Sequence, residues 1–158
     1  MPDKDDANDF LFGGGGKAFP FENIGDKVTG EIKEMKKQQQ TDMVTGEPSF
    51  WANGEPKMML RITLQTDLQE SEDDEGLRSV YLRGGNFNAV KGSGTSSLLA
   101  VKDAVRRSGT SEGIQPGGIL TMEYTGNGQA PNKGFSAPKL YTASYRPPMA
   151  SIGLDDLA

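Results

Sequence analysis

The sequence contains no cysteine and no histidine among its 158 residues. That excludes disulfide frameworks, thiolate or imidazole metal sites, cysteine nucleophiles and histidine general bases. No apolar run approaches the roughly 18 residues that a membrane-spanning helix needs, so no membrane partner is expected. The first residues, Met1-Pro2-Asp3-Lys4-Asp5-Asp6, are polar and acidic and do not read as a signal peptide. A cytoplasmic protein is therefore expected. Apolar residues are scarce as well, at 34%, while glycine is plentiful at 21. The core should be small, and part of the chain should carry no regular structure.

The net charge of −5 is unevenly placed. Residues 1–16 carry −3 and residues 147–158 carry −2, so the stretch 17–146 is neutral. Within that stretch, Asp67, Glu70, Glu72, Asp73, Asp74 and Glu75 stand together. Without them the central body is +6. Such a body, with acidic appendages, suits a polyanion; a solvated surface that averages out has the same composition.

Residues 1–20 read as a flexible, acidic and glycine-rich segment, with Gly13-Gly14-Gly15-Gly16 at its centre and Phe10-Leu11-Phe12 as an apolar interruption. Residues 21–146 read as the folded domain, and 147–158 as an acidic tail. Alternation places strands at Lys27 to Met35, Met58 to Gln65, Leu77 to Arg83, Ile119 to Thr125 and Lys139 to Tyr145. Helical spacing appears only from Ser96 to Arg107, where Leu98, Val101 and Val105 form a stripe that Leu99 and Ala104 widen. Thr95 or Ser96 can cap its start, and Gly109 fits just past its end. Three strands, a helix and two strands is the order of the OB-fold, a five-stranded, partly open barrel with its helix between the third and fourth strands.

Several constellations carry candidate chemistry. Tyr81 and Arg83 share one face of the third strand, opposite Val80 and Leu82, and Arg61 joins them from the second strand. Arg78, Lys57 and the pair Phe50 and Trp51 lie nearby in sequence. Lys33, Lys36 and Lys37 extend the basic track from the first strand, and Phe87 follows Gly84-Gly85-Asn86. Exposed rings stack with any base, and Arg or Lys neutralise phosphates. Trp51 would equally serve as a cap on a barrel end; Tyr81 could do so too, but the binding reading is preferred for it because Val80 and Leu82 already fill the other face. Lys133 and Phe135 in the last interstrand loop could clamp a strand or merely turn it.

Phe12-Gly13-Gly14-Gly15-Gly16-Lys17-Ala18 does not make a phosphate-cradling loop, because no strand precedes it and alanine stands where Ser or Thr would hold Mg²⁺. The acids at 67–75 lack the spacing of a calcium loop and read as a solvated hairpin loop; a metal nuclease built on them is the remote alternative. No cofactor is expected, and no acid–base pair suggests an enzyme.

Phe19-Pro20-Phe21, Gly25-Asp26-Lys27-Val28-Thr29-Gly30, Gln39-Gln40-Thr41-Asp42, Thr45-Gly46-Glu47-Pro48, Phe50-Trp51 with Asn53-Gly54, and Met59-Leu60-Arg61-Ile62-Thr63-Leu64-Gln65-Thr66 run through most of the chain. With the acidic end, this pattern resembles the single-stranded DNA-binding proteins of tailed bacteriophages, particularly those infecting actinobacteria. The resemblance implies an OB-fold that coats single-stranded DNA without sequence preference during replication, recombination or repair. It also implies an acidic tail, here Leu154, Asp155, Asp156 and Leu157, that recruits replication or recombination proteins. The chain ends in Leu157-Ala158 rather than the Pro-Phe of the bacterial tails. Proteins of this kind occur as monomers and as homo-oligomers. A protein-interaction module on the same barrel is the alternative, suited to the overall acidity.

Overall fold

A computed structural model describes residues 17–42, 44–84, 94–128 and 137–148. It is mainly β, with one helix. The elements are β1 (Lys17–Ala18), β2 (Lys27–Gln39), β3 (Met58–Gln65), β4 (Leu77–Leu82), α1 (Ser97–Arg107), β5 (Ile119–Asn127) and β6 (Lys139–Arg146). They form one mixed sheet in the order β1-β4-β3-β2-β5-β6. Only β1 and β4 run parallel; every other pair is antiparallel.

Alternation explains the five longer strands. Val28 and Ile32 of β2, Ile62 and Leu64 of β3, Val80 and Leu82 of β4, and Leu120 and Met122 of β5 are buried in one core. Gly30 interrupts the apolar face of β2 because the sheet bends there. A Cβ at that position would lie 2.6 Å from the Gln65 carbonyl oxygen, so only glycine lets the strands approach. A bulge follows between Ile32 and Glu34, where the β2–β3 register shifts. Long β2 thus pairs with β5 through its first half and with β3 through most of its length.

The helix begins where Ser96 Oγ accepts the Leu99 N–H at 3.3 Å. It ends with Arg106 and Arg107 in the last turn, where they favour the dipole, and Gly109 follows at φ +78°. It packs against β6 and touches β4. Its buried face differs from the expected stripe: Ser97, Ala100, Val101 and Ala104 are buried, while Leu98 and Leu99 stay largely exposed. Small residues let the helix lie close to the sheet, and this turns the two leucines outward.

The sheet is open, with six strands rather than five. The extra strand lies inside the segment expected to be flexible: Lys17 pairs with Arg78 and Ala18 with Ser79. Phe19 continues the contact, its N–H donating to the Ser79 carbonyl at 2.9 Å. Pro20 has no N–H with which to extend the ladder. Two further contacts draw the β6 edge towards this one. Thr95 exchanges main-chain hydrogen bonds with Tyr141 of β6, at 3.0 and 2.7 Å, and Lys139 Nζ donates to the Phe21 carbonyl.

The acidic loop between β3 and β4 exposes Asp67, Glu70, Glu72, Asp73 and Glu75, as a solvated loop should, but is pinned at Asp74. Asp74 accepts two bonds from the Arg78 guanidinium, at 2.9 and 2.6 Å, and the main-chain N–H groups of Glu70 and Gly76. Both side chains are almost fully buried. Among the described residues no three acidic side chains cluster in a way that could hold a metal ion, and no helix is long and apolar enough to cross a membrane.

Candidate nucleic-acid interface

Register decides which candidate residues can act together. Across β2, β3 and β4, Lys36 pairs with Arg61 and Arg61 with Tyr81, so the three stand in one row on the face away from the core. Arg83 lies just beyond the end of β4, on the same side as Met59, and its Nε donates to Met59 Sδ at 3.5 Å. Arg83 is exposed and Tyr81 partly exposed. Its main-chain N–H donates to Ser97 Oγ at 2.8 Å, which fixes the strand end against the helix start.

Three expectations need correction. Arg61 does share a row with Tyr81, but it is only 9% exposed, with Nη2 at 3.6 Å from Glu34 Oε1. It braces the face from beneath rather than presenting a charge to solvent. Arg78 is held by Asp74 and occupies the core-facing parity of β4, beside Val80 and Leu82. It closes the acidic loop and is not a surface cation. The lysines of β2 do not form one track. Lys33 sits at the bulge and pairs with Glu31, and Lys37 pairs in register with Leu60, on the opposite face from Lys36.

Phe50 and Trp51 ride on an ordered excursion between β2 and β3. Its main chain is tied by bonds from Gln40 N–H to the Lys57 carbonyl, Ser49 N–H to the Gln40 carbonyl and Lys57 N–H to the Ser49 carbonyl, at 2.7 to 3.0 Å. The tip is a tight turn: Trp51 N–H donates to the Glu55 carbonyl and Gly54 N–H to the Trp51 carbonyl, with Gly54 at φ +90°. None of these bonds uses a ring. Phe50 is 56% and Trp51 47% exposed, so the excursion displays two aromatic residues on a stiff main chain. Lys57 Nζ stands 4.8 Å from the Trp51 ring centroid, a cation held against a π-face.

A second aromatic group was not anticipated as a site. Phe19 and Phe21 meet edge to face at 4.8 Å between centroids, and Phe21 meets Tyr141 at 5.2 Å. Tyr124 lies 6.0 Å from Tyr141, with Lys139 Nζ 5.2 Å above its ring. Burial pushes the Tyr141 phenol up, Tyr124 adds to the shift, and nearby Arg83 opposes it. Phe19, Phe21 and Tyr141 border a cleft of about 380 Å³ between the β4 and β6 edges. The repeated aromatics of Phe19-Pro20-Phe21 were a visible signal, but nothing in the sequence indicated that they cross to β6.

Phe87, Lys133, Phe135, the segment Phe10-Leu11-Phe12 and the tail residues Leu154, Asp155, Asp156 and Leu157 lie outside the described residues. Comparison with protein-family models, with curated proteins and with solved structures finds no match for this chain.

Proposed function

We propose that the chain is an OB-like module that binds single-stranded DNA without sequence preference, akin to the phage proteins that its sequence resembles. The observation that carries this reading is the pair Phe50 and Trp51, exposed on a hydrogen-bonded excursion with Lys57 against the indole. About half of each ring is left in water at this tip, an exposed apolar surface of the kind that marks interaction sites. They suit stacking with unpaired bases, while neighbouring cations meet the phosphates. On β4, partly exposed Tyr81 and exposed Arg83 offer a further ring and a further cation.

The connectivity supports the OB-like part. The first long strand pairs with both β3 and β5, the helix lies between β4 and β5, and β6 closes the chain order. This is the Greek-key strand order of OB-folds, which bind ligands on the second and third strands and on the excursions after the first and fourth. In this chain those positions are β3, β4 and the Phe50–Trp51 excursion.

The test is titration with oligo-dT, followed by indole fluorescence and gel mobility. Trp51 is the only tryptophan, so quenching on binding reports on that ring alone. The reading predicts both quenching and a mobility shift at low salt; absence of both overturns it.

A further inference from the structure

We propose that the cleft between the β4 and β6 edges receives one unpaired nucleobase of a bound single strand. This rests on the single-strand-binding reading above and adds a second, recessed site to its open stacking surface.

The argument begins with the main chain of β4. Ser79 turns its carbonyl outward to Phe19, and Arg83 turns its N–H outward to Ser97. Strand alternation then points the N–H and C=O of Tyr81, midway between them, to the same side. Among the described residues no hydrogen bond takes them up. The β1 ladder has stopped at Pro20, and the Thr95–Tyr141 bridge holds β6 at the far wall. The outcome is a short strand edge, one donor beside one acceptor, facing a cleft instead of a neighbouring strand. An unpaired strand edge offers its main-chain N–H and C=O to whatever can pair with them, so this edge favours a ligand with polar edge atoms.

The walls narrow the choice of ligand. Phe19, Phe21 and Tyr141 give aromatic surface, and Arg83 and Lys139 place cations on the same lining. The volume of about 380 Å³ falls at the low end of small-molecule sites, which run from roughly 300 to 1,000 Å³. Flat, aromatic, hydrogen-bonding at one edge and linked to a phosphate is the description of a nucleotide. Every nucleobase carries a donor next to an acceptor on its pairing edge, so one N–H and one C=O accept all four. The site therefore adds affinity without sequence preference. It also discriminates against duplex, whose pairing edges are already occupied.

The experiment uses the full chain and oligo-dT with single thymidines replaced by 5-iododeoxyuridine, irradiated and mapped by mass spectrometry. Crosslinks at Phe21, Tyr81 or Tyr141, beside those at Phe50 and Trp51, are expected. Crosslinks confined to Phe50 and Trp51 in a complex that still shifts overturn the cleft and leave the stacking surface standing. A chain that binds no oligo-dT overturns both. In parallel, Tyr141→Leu should weaken oligo-dT binding by roughly fivefold to a hundredfold, the loss of one base contact. Unchanged affinity in a folded variant counts against the cleft. If that variant fails to fold, the crosslinking map decides the matter alone.

Discussion

Replacing Trp51 by alanine separates binding from folding more cleanly than any other change in this chain. The indole is 47% exposed and sits at the tip of an excursion tied by main-chain bonds and by the side chains of Gln39, Asp42 and Asn53, not by its own ring. A tryptophan offers roughly 200 Å² of contact surface. About half of that is hidden here, which at ~25 cal/mol/Å² is about 2.5 kcal/mol as an upper bound on lost stability. The cation–π contact with Lys57 adds about 0.5–1 kcal/mol at an exposed site. Much of this loss is local to the tip, so thermal melting should fall by only a few degrees. Loss of a stacked base should instead cost about 1–3 kcal/mol of binding, roughly fivefold to a hundredfold in Kd. Circular dichroism melts and oligo-dT titration of the same preparation measure both quantities. A folded Trp51→Ala chain that binds oligo-dT within twofold of the parent refutes the stacking role. A chain that unfolds outright returns Trp51 to a structural role.

Other consequences follow from the fold. The Arg78 guanidinium, with the Glu70 and Gly76 N–H groups, holds the Asp74 carboxyl well below its ordinary value of 3.8. A depressed carboxylate stabilises the fold above that ordinary value, and this contribution drains away as pH falls through the lowered one. Urea unfolding between pH 7 and pH 2.5 should show an acid-side decline that Asp74→Asn flattens; parallel profiles would count against the buried pair. Gly30→Ala drives a methyl onto the Gln65 carbonyl and should cost about 1–3 kcal/mol, read as a lower urea midpoint. Ser96→Ala removes the side-chain acceptor of the Leu99 N–H and should cost about 1 kcal/mol by the same measurement.

The five long strands and the helix were legible because each has one wet face and one dry face. Alternation at Val80 and Leu82 against Tyr81 and Arg83 is a direct imprint of that asymmetry. Two kinds of feature escaped. Lys17–Ala18 is too short to show a period, and its pairing with β4 depends on an edge that only the folded sheet exposes. Burial on the polar side escaped as well. Alternation puts Arg61 and Tyr81 on one face, yet it says nothing about what lies over that face, and the guanidinium is nearly buried. The same limit hid Arg78. Its partner Asp74 precedes it by four residues across the turn at Gly76, a spacing with no strand period to mark it. At the helix, volume rather than polarity chose the buried face, so Ala100 and Ala104 displaced Leu98 and Leu99 from the core.

Paired titration of the unaltered chain with oligo-dT and with a duplex of equal length, at two salt concentrations, tests the central claim most directly. Rings awaiting unpaired bases require tight binding of the single strand, weak binding of the duplex, and a log–log salt slope of about −0.7 for each phosphate neutralised. Equal affinity for both forms, or no binding to either at low salt, would contradict the account.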